Sequence, residues 1–257
     1  MSVIKHQVQN GILILTLNRP EKLNALNASV LHLLAERLAE AKDQSDIKGI
    51  LLHGEGRAFC AGADIARLAE CDAHSGYQFA CFGQSVLRQL ETLGKPSIAA
   101  IHGYAFGGGC ELAMATSLRI AAHDAQFAQP EIKLGVIPGY GGTQRLMRLI
   151  GKGRALDLCL SGRVINADTA LQWGLVNTVV PVDALIDTAL QQLHTIISMA
   201  PLALTGVMDA INYGCELSLD AALHLEAIHF AKVCASQDKE EGVAAFLEKR
   251  QAVFQGA

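Results

Sequence analysis

The chain has 257 residues, of which 51% are hydrophobic and 18% are charged. This size and composition allow a self-sufficient core, which excludes a long disordered segment. Lys and Arg number 21 against 25 Asp and Glu, and this net charge of −4 excludes a strongly basic nucleic-acid surface as the main function. A local basic pocket for a phosphorylated ligand remains compatible with these numbers.

The chain contains seven cysteines and no C-x-x-C pair. An odd number without that spacing argues against a disulfide framework or a zinc site, and it favours a reducing compartment. We expect most of the cysteines to be small buried residues and expect no metal. The first residues lack a signal-peptide pattern, and no window holds 18 apolar residues. The sequence therefore predicts a cytoplasmic protein without a membrane or nucleic-acid partner.

Strand and helix patterns alternate along the first half of the chain. Asn10-Gly11 separates two β-like runs and predicts a hairpin. Apolar residues at helical spacing follow, and then short apolar strands alternate with further helices. The predicted helices are 28–44, 75–93 and one from about 110, and the predicted strands are 48–53, 97–102, 118–122, 126–128 and 176–180. This order predicts an α/β fold with parallel βαβ units, and helical patterns dominate from about residue 140.

Three segments carry possible chemistry, namely residues 57–65, 102–112 and 128–143. The first two are strand-to-helix turns rich in small residues, whose free N–H groups can receive an anion. The second and third each add a carboxylate, Glu111 and Glu131. Each motif alone has a structural interpretation, with Asp64 as a helix cap, Glu111 complementing a helix dipole and Glu131 on the surface. Together they provide the groups for an oxyanion hole and a general acid–base pair.

At these segments the sequence resembles the enoyl-CoA hydratase (crotonase) family. The resemblance covers almost the whole chain, through the ordered motifs at residues 15–20, 23–26, 59–65, 103–112, 129–132, 137–145, 174–177 and 238–250. It implies a spiral of ββα units with a helical C-terminal region, and we expect a core over 1–195 and a trimerisation region over 196–257. It also implies a homotrimer or a dimer of trimers.

The resemblance assigns roles to five residues around the thioester. The oxyanion hole would use the backbone N–H groups of Ala63 and Gly108. Glu131 would deliver a proton to C2, while Glu111 would hold and activate the attacking water. The N–H of Gly139 matches a position that helps to place this water.

Further matches concern the rest of an acyl-CoA thioester substrate. Lys22 and Leu23 match the segment that lies along the nucleotide and pantetheine of CoA, and Lys249 resembles a C-terminal basic residue that approaches a CoA phosphate. The loop that lines the thioester channel is matched by Ala61, Asp64 and Ile65. Lys22 and Lys249 could equally be solvated surface charges. No metal or redox cofactor is implied, because CoA enters as part of the substrate. The expected reaction is reversible hydration of trans-2-enoyl-CoA to 3-hydroxyacyl-CoA, as in fatty-acid β-oxidation.

Other functions are compatible with this fold. An enoyl-CoA isomerase needs no bound water, so retention of both glutamates argues against it. A hydratase of a branched or aromatic acyl-CoA would use the same acids. A non-enzymatic RNA-binding relative is disfavoured by the net charge and the complete acid pair.

Tyr140 stands where the family often has a small residue, which leaves the chain-length preference open. Lys133 is expected to point outward, and core packing is the expected role of Phe79, Phe82 and Phe246.

Overall fold

The computed structural model describes residues 2–257. Its first two strands, β1 (Ile4–Gln9) and β2 (Ile12–Leu17), form the antiparallel hairpin that the sequence predicts. Asn10 and Gly11 both have positive φ, 49° and 79°, which the tight turn between twisted strands requires. Every residue of β2 is buried, since the strand lies inside the sheet.

The main sheet continues with β3 (Gly49–Gly54), β4 (Ser97–Ile101), β6 (Leu118–Ala122) and β9 (Thr178–Val180). Its order is β1-β2-β3-β4-β6-β9, and every pair after the hairpin is parallel. The predicted α/β class and parallel sheet are therefore confirmed. The last strand is shorter than the predicted run 176–180, because the N–H of Val176 donates to Ala170 at a preceding helix end.

A second, three-stranded sheet contains β5 (Tyr104–Phe106), β7 (Gln126–Ala128) and β8 (Ile165–Asn166). Strand β5 follows β4 after two residues, and β7 follows β6 after three. Each unit thus places one strand in each sheet before the chain continues into helical structure, as in a ββα spiral. The sequence did not predict β5 and β8, which have three and two residues and are held by pairing with β7.

Helices cover both faces of the main sheet. The α-helices are α1 (Ala28–Asp43), α2 (Ile65–Ala69), α3 (Ala73–Glu91), α4 (Gly108–Met114), α5 (Gly142–Ile150), α6 (Lys152–Ser161), α7 (Ala167–Trp173), α8 (Leu185–Ile197), α9 (Pro201–Gly214), α10 (Leu219–Cys234) and α11 (Gln237–Glu248). Three 3₁₀ turns lie at Pro20–Lys22, Pro130–Leu134 and Val182–Ala184. Helix α1 buries Leu34 and Leu38 in the larger apolar core, whereas α8 buries Leu193 in a smaller one. The glycine-rich segments follow β3 and β4, the two central strands that lie between these cores.

The helices after residue 200 leave apolar side chains uncovered. Helix α10 packs mainly on α9, and none of its residues is buried. Leu219 and Phe230 are 74% and 71% exposed. Within residues 2–257 no single helix has the length and apolar character to cross a membrane, and one pair, Val182–Ile197 with Pro201–Gly214, meets that test only jointly across a 105° bend.

Two expectations about side-chain burial are wrong. Among the cysteines only Cys60 and Cys110 are buried. The others lie on helices that face solvent in part or, as Cys71 and Cys215 do, in the turns beside them. Phe246 is 82% exposed on α11 and does not pack in the core. Lys133 is exposed, as expected.

Candidate active site

The segment around Ala63 is fixed on both sides by backbone pairing. Leu26 donates its N–H to Gly62 at 2.8 Å, and Asp64 donates back to Leu26 at 2.9 Å. A Cβ placed on Gly108 would lie 3.1 Å from the nitrogen of Ala63. The two residues predicted to form the oxyanion hole are therefore neighbours in space.

The glycine run at 107–109 is required by close packing. Gly107 has a φ of 47°, and a Cβ there would lie 2.5 Å from Oε1 of Glu131. A Cβ on Gly109 would lie 2.1 Å from the carbonyl oxygen of Cys60. Gly108 is the first residue of α4, so its N–H has no acceptor within the helix. The glycines thus let a free N–H and a carboxylate meet in a narrow space.

Glu111 lies in the first turn of α4 and is 1% exposed. Its Oε1 accepts hydrogen bonds from the N–H groups of Tyr140 at 2.8 Å and Gly142 at 2.6 Å. Burial, and next the nearby Glu131, raise the pKa of Glu111 to about 7, although the two hydrogen bonds oppose this. The carboxyl group therefore exchanges a proton near neutral pH.

Glu131 lies in the 3₁₀ turn Pro130–Leu134, opposite Gly107. Burial raises its pKa to about 7 as well. Gln129 is fully buried beside it, and its amide NH₂, turned toward the carboxylate, donates to Oε2 and Oε1 at 3.2 and 3.3 Å. Because two like charges are unfavourable in one buried site, the pair favours a single shared proton at neutral pH.

Helix α3 holds the loop that carries the N–H donors of Tyr140 and Gly142. Arg145 donates from Nη1 to the carbonyl oxygen of Tyr140 at 2.6 Å, and its Nη2 pairs with Oε2 of Glu91 at 3.0 Å. Gln84 donates to the carbonyl oxygen of Gly139 at 2.9 Å. Contacts from α3 thus fix the position of this loop, and the loop in turn fixes the orientation of Glu111.

One cavity of about 310 Å³ joins the predicted catalytic groups. Ala63, Gly108, Glu111, Glu131 and Gly139 all line it. The remaining walls are mostly apolar and come from α2, α3 and the loop before α5, namely Leu68, Gly76, Phe79, Ala80, Gln84, Val136, Ile137, Pro138 and Tyr140. An apolar cavity that contains two N–H donors and two carboxyl groups of raised pKa suits acid–base chemistry beside a polarised carbonyl.

The predicted CoA contacts lie outside this cavity. Lys22 is exposed at the end of a 3₁₀ turn, and the carbonyl oxygen of Leu23 accepts from the N–H of Ala61 at 2.9 Å. Asp64 pairs with Arg19 at 3.4 Å, and Ile65 is 60% exposed. These five predicted residues therefore lie on two joined segments beside Ala63.

Lys249 lies apart from the segments of Lys22 and Ala61. It is exposed and ends α11 in the left-handed conformation. In the part of the chain that the structure describes, no hydrogen bond or ion pair joins its side chain to those segments.

Sequence reasoning missed three residues that shape the site. The glycine run could have indicated that Gly107 faces a carboxylate, and Gln129 stands only two residues before Glu131 in the sequence. Arg145 and Glu91 are 54 residues apart, and only the fold brings these two side chains together. Across residues 2–257 no group of three or more His, Cys, Asp or Glu side chains is placed to hold a metal ion.

Comparison with known proteins agrees with this arrangement. The family model for enoyl-CoA hydratase/isomerase matches residues 7–257. The chain is 42% identical to the short-chain-enoyl-CoA hydratase of Clostridium acetobutylicum, over 95% of this chain and 94% of the relative. It is 43% identical to the crotonyl-CoA hydratase of Syntrophomonas wolfei, over 96% and 95%. A crystal structure of an enoyl-CoA hydratase from Bacillus anthracis superposes with a TM-score of 0.95 at 36% identity, covering 99% of this chain and 100% of the other.

Proposed function

The chain belongs to the enoyl-CoA hydratase/isomerase family and is an enzyme of the enoyl-CoA hydratase class, and from that premise we propose how its own residues hydrate a trans-2-enoyl-CoA. The observation that carries the proposal is the single cavity in which two N–H donors and two glutamates of raised pKa meet. The product is the 3-hydroxyacyl-CoA, and the reaction is reversible. Such a reaction is a step of fatty-acid β-oxidation.

The thioester oxygen binds between the N–H groups of Ala63 and Gly108. As water adds at C3, the electrons of the double bond move toward this oxygen, which gains negative charge. Two donors held in place before the reaction stabilise that charge, and loss of one such donor typically costs about 3–4 kcal/mol. The surrounding backbone pairing supports the proposal, because it fixes the nitrogen of Ala63 beside Gly108.

The two glutamates divide the proton transfers. Ionised Glu111 accepts a proton from the water as the new C–O bond forms at C3, and protonated Glu131 gives its proton to C2. The N–H of Gly139 helps to place the water. The raised pKa of both groups supports this division, because a pair that shares one proton contains a base and an acid at neutral pH.

The CoA portion extends from the cavity over the segments of Lys22 and Leu23 and of Ala61, Asp64 and Ile65. Their proximity to Ala63 supports this path. We assign Lys249, at the end of α11, to a phosphate of the CoA that is bound by a neighbouring subunit.

The uncovered apolar face of α9 and α10 supports a homo-oligomer, because a contiguous exposed apolar surface of this kind marks an interface. We assign it to subunit contacts in a trimer or a dimer of trimers. Sedimentation equilibrium of the purified protein tests this assignment, since a monomer at micromolar concentration would contradict it.

Hydration is tested by following the loss of the conjugated double bond in trans-2-enoyl-CoA esters of increasing length. Wild type, Glu111→Gln and Glu131→Gln are compared with Glu36→Gln, which removes an exposed carboxylate from α1. We expect the two site variants to lose at least about a hundredfold in kcat while remaining folded, and the α1 variant to keep wild-type activity. Absence of hydration of every ester by wild type, or isomerisation of 3-enoyl-CoA in its place, would overturn the proposal.

A further inference from the structure

The side chain of Tyr140 occupies an unusual position between two helices. It is 1% exposed, and a Cβ on Gly83 would lie 2.1 Å from its Cδ1 and 2.2 Å from its Cε1. The ring therefore lies directly on the backbone of α3 at Gly83, where any residue with a Cβ would clash with it. On its other edge, a Cβ on Gly108 would lie 3.3 Å from Cδ2. The ring thus fills the space between α3 and the first residue of α4.

This position lies in the wall of the cavity. Tyr140 and Phe79 both line it, and their ring centroids are 5.2 Å apart at 46°. The proposed thioester site at Gly108 and the two glutamates fix C1 to C3 of the acyl chain, and CoA occupies the mouth. In this arrangement the carbons beyond C3 continue along the apolar wall that α3 and the loop before α5 form, where these two rings stand.

We propose that the Tyr140 ring, seated on Gly83, closes the acyl end of the cavity and restricts the enzyme to short-chain enoyl-CoA esters. This inference rests on the proposed function. A longer acyl chain would have to displace the Tyr140 ring. This ring packs against the backbones of α3 and α4, and a helix backbone cannot move aside as a side chain can. A single extra methylene in an apolar pocket that cannot expand is typically discriminated by about tenfold or more.

The backbone of Tyr140 has a different function from its ring. Its N–H donates to Glu111, and its carbonyl oxygen accepts from Arg145, so both groups survive replacement of the side chain. A smaller residue should open space toward α3 while keeping the backbone hydrogen bonds to Glu111 and Arg145. The effect on chain length is therefore measured as a ratio between two esters, in which any common effect on the catalytic rate cancels.

The test measures kcat and KM for four-carbon and eight-carbon trans-2-enoyl-CoA with wild type, Tyr140→Ala, Tyr140→Leu and Tyr140→Phe. Phe82→Ala is the matched control, because it removes a ring of α3 that packs on His32 outside the cavity. We expect Tyr140→Ala to raise the ratio of eight-carbon to four-carbon kcat/KM at least about tenfold, mainly by lowering KM for the longer ester. The Phe variant and the control should keep the wild-type ratio.

Two results would overturn the inference. One is a folded Tyr140→Ala enzyme that is active on the four-carbon ester with an unchanged ratio. The other is a wild-type enzyme that already hydrates both esters with equal kcat/KM. If the Ala variant does not fold, the Leu variant decides in the same way, because it also shortens the side chain while keeping an apolar contact with α3. A wild-type enzyme that hydrates neither ester refutes the proposed function itself, so the two failures are distinguishable.

Discussion

Replacing Glu111 with Gln should stabilise the protein at high pH while removing its activity. The folded protein raises the pKa of this carboxyl group to about 7 from an ordinary value of 4.5. Between these values the folded state binds more protons than the unfolded state, so stability falls as the pH rises. The loss of folding stability caused by ionised Glu111 is absent below the pKa of the unfolded state and complete above the pKa of the folded state. The difference of about 2.5 pH units corresponds to about 3 kcal/mol at pH 8.

The substitution keeps the local hydrogen bonds. The amide oxygen of Gln can accept from the N–H groups of Tyr140 and Gly142 as Oε1 of Glu111 does. The variant therefore removes a buried negative charge and little else. Its stability relative to wild type should rise by up to about 3 kcal/mol between pH 5 and pH 8.

Urea unfolding at fixed protein concentration and several pH values measures this difference. Glu36→Gln is the control, and its stability relative to wild type should not change with pH in this way because its carboxyl group is exposed. Parallel stability curves of wild type and Glu111→Gln across pH 5 to 8 would refute the reasoning. Such curves would mean that the surroundings of Glu111 do not disfavour the ionised form of its carboxyl group.

Three further predictions concern activity. Gly107→Ala should lower kcat about a hundredfold, because its methyl group would displace Oε1 of Glu131, whereas Gly135→Ala, also at positive φ but with open space around it, should not. Arg145→Met should lower kcat about tenfold and move the pH optimum upward, because loss of this nearby cation raises the pKa of Glu111 further. The control is Arg148→Met, which breaks an exposed ion pair on the same helix. The kcat/KM of wild type should be bell-shaped around pH 7, with two apparent pKa values that belong to the glutamate pair. A steady-state pH series checks this, and a flat profile from pH 5 to 9 would contradict it.

The sequence predicted those parts of the fold that short-range patterns determine. Strands β6 and β7 match the predicted runs 118–122 and 126–128 residue for residue, because polar or turn-forming residues bound each run on both sides. Strands β5 and β8 were missed because they are stabilised by pairing with β7 and not by a pattern of their own. The exposed position of Phe246 was also missed, since aromatic character alone does not show which face of a helix meets the core.

For the candidate site, the motifs identified which residues meet but not what holds them. The resemblance placed Glu111, Glu131, Ala63 and Gly108 in one site, and the structure brings them to one cavity. The contact of Arg145 with Glu91 joins α5 to α3, and no periodicity or spacing in the sequence indicates it. Long-range packing of this kind depends on how the whole chain folds.

The loop before α5 shows how one segment can serve catalysis and specificity independently. Arg145 and Gln84 hold its carbonyl oxygens from the helix side, so the N–H groups of Tyr140 and Gly142 stay directed at Glu111. The side chain at position 140 lies outside that hydrogen-bond network and packs between α3 and α4 at the cavity wall. We therefore expect a substitution there to change the space available to the acyl chain while the backbone hydrogen bonds that orient Glu111 remain in place. Acyl-chain preference would then change independently of the groups proposed to carry out hydration.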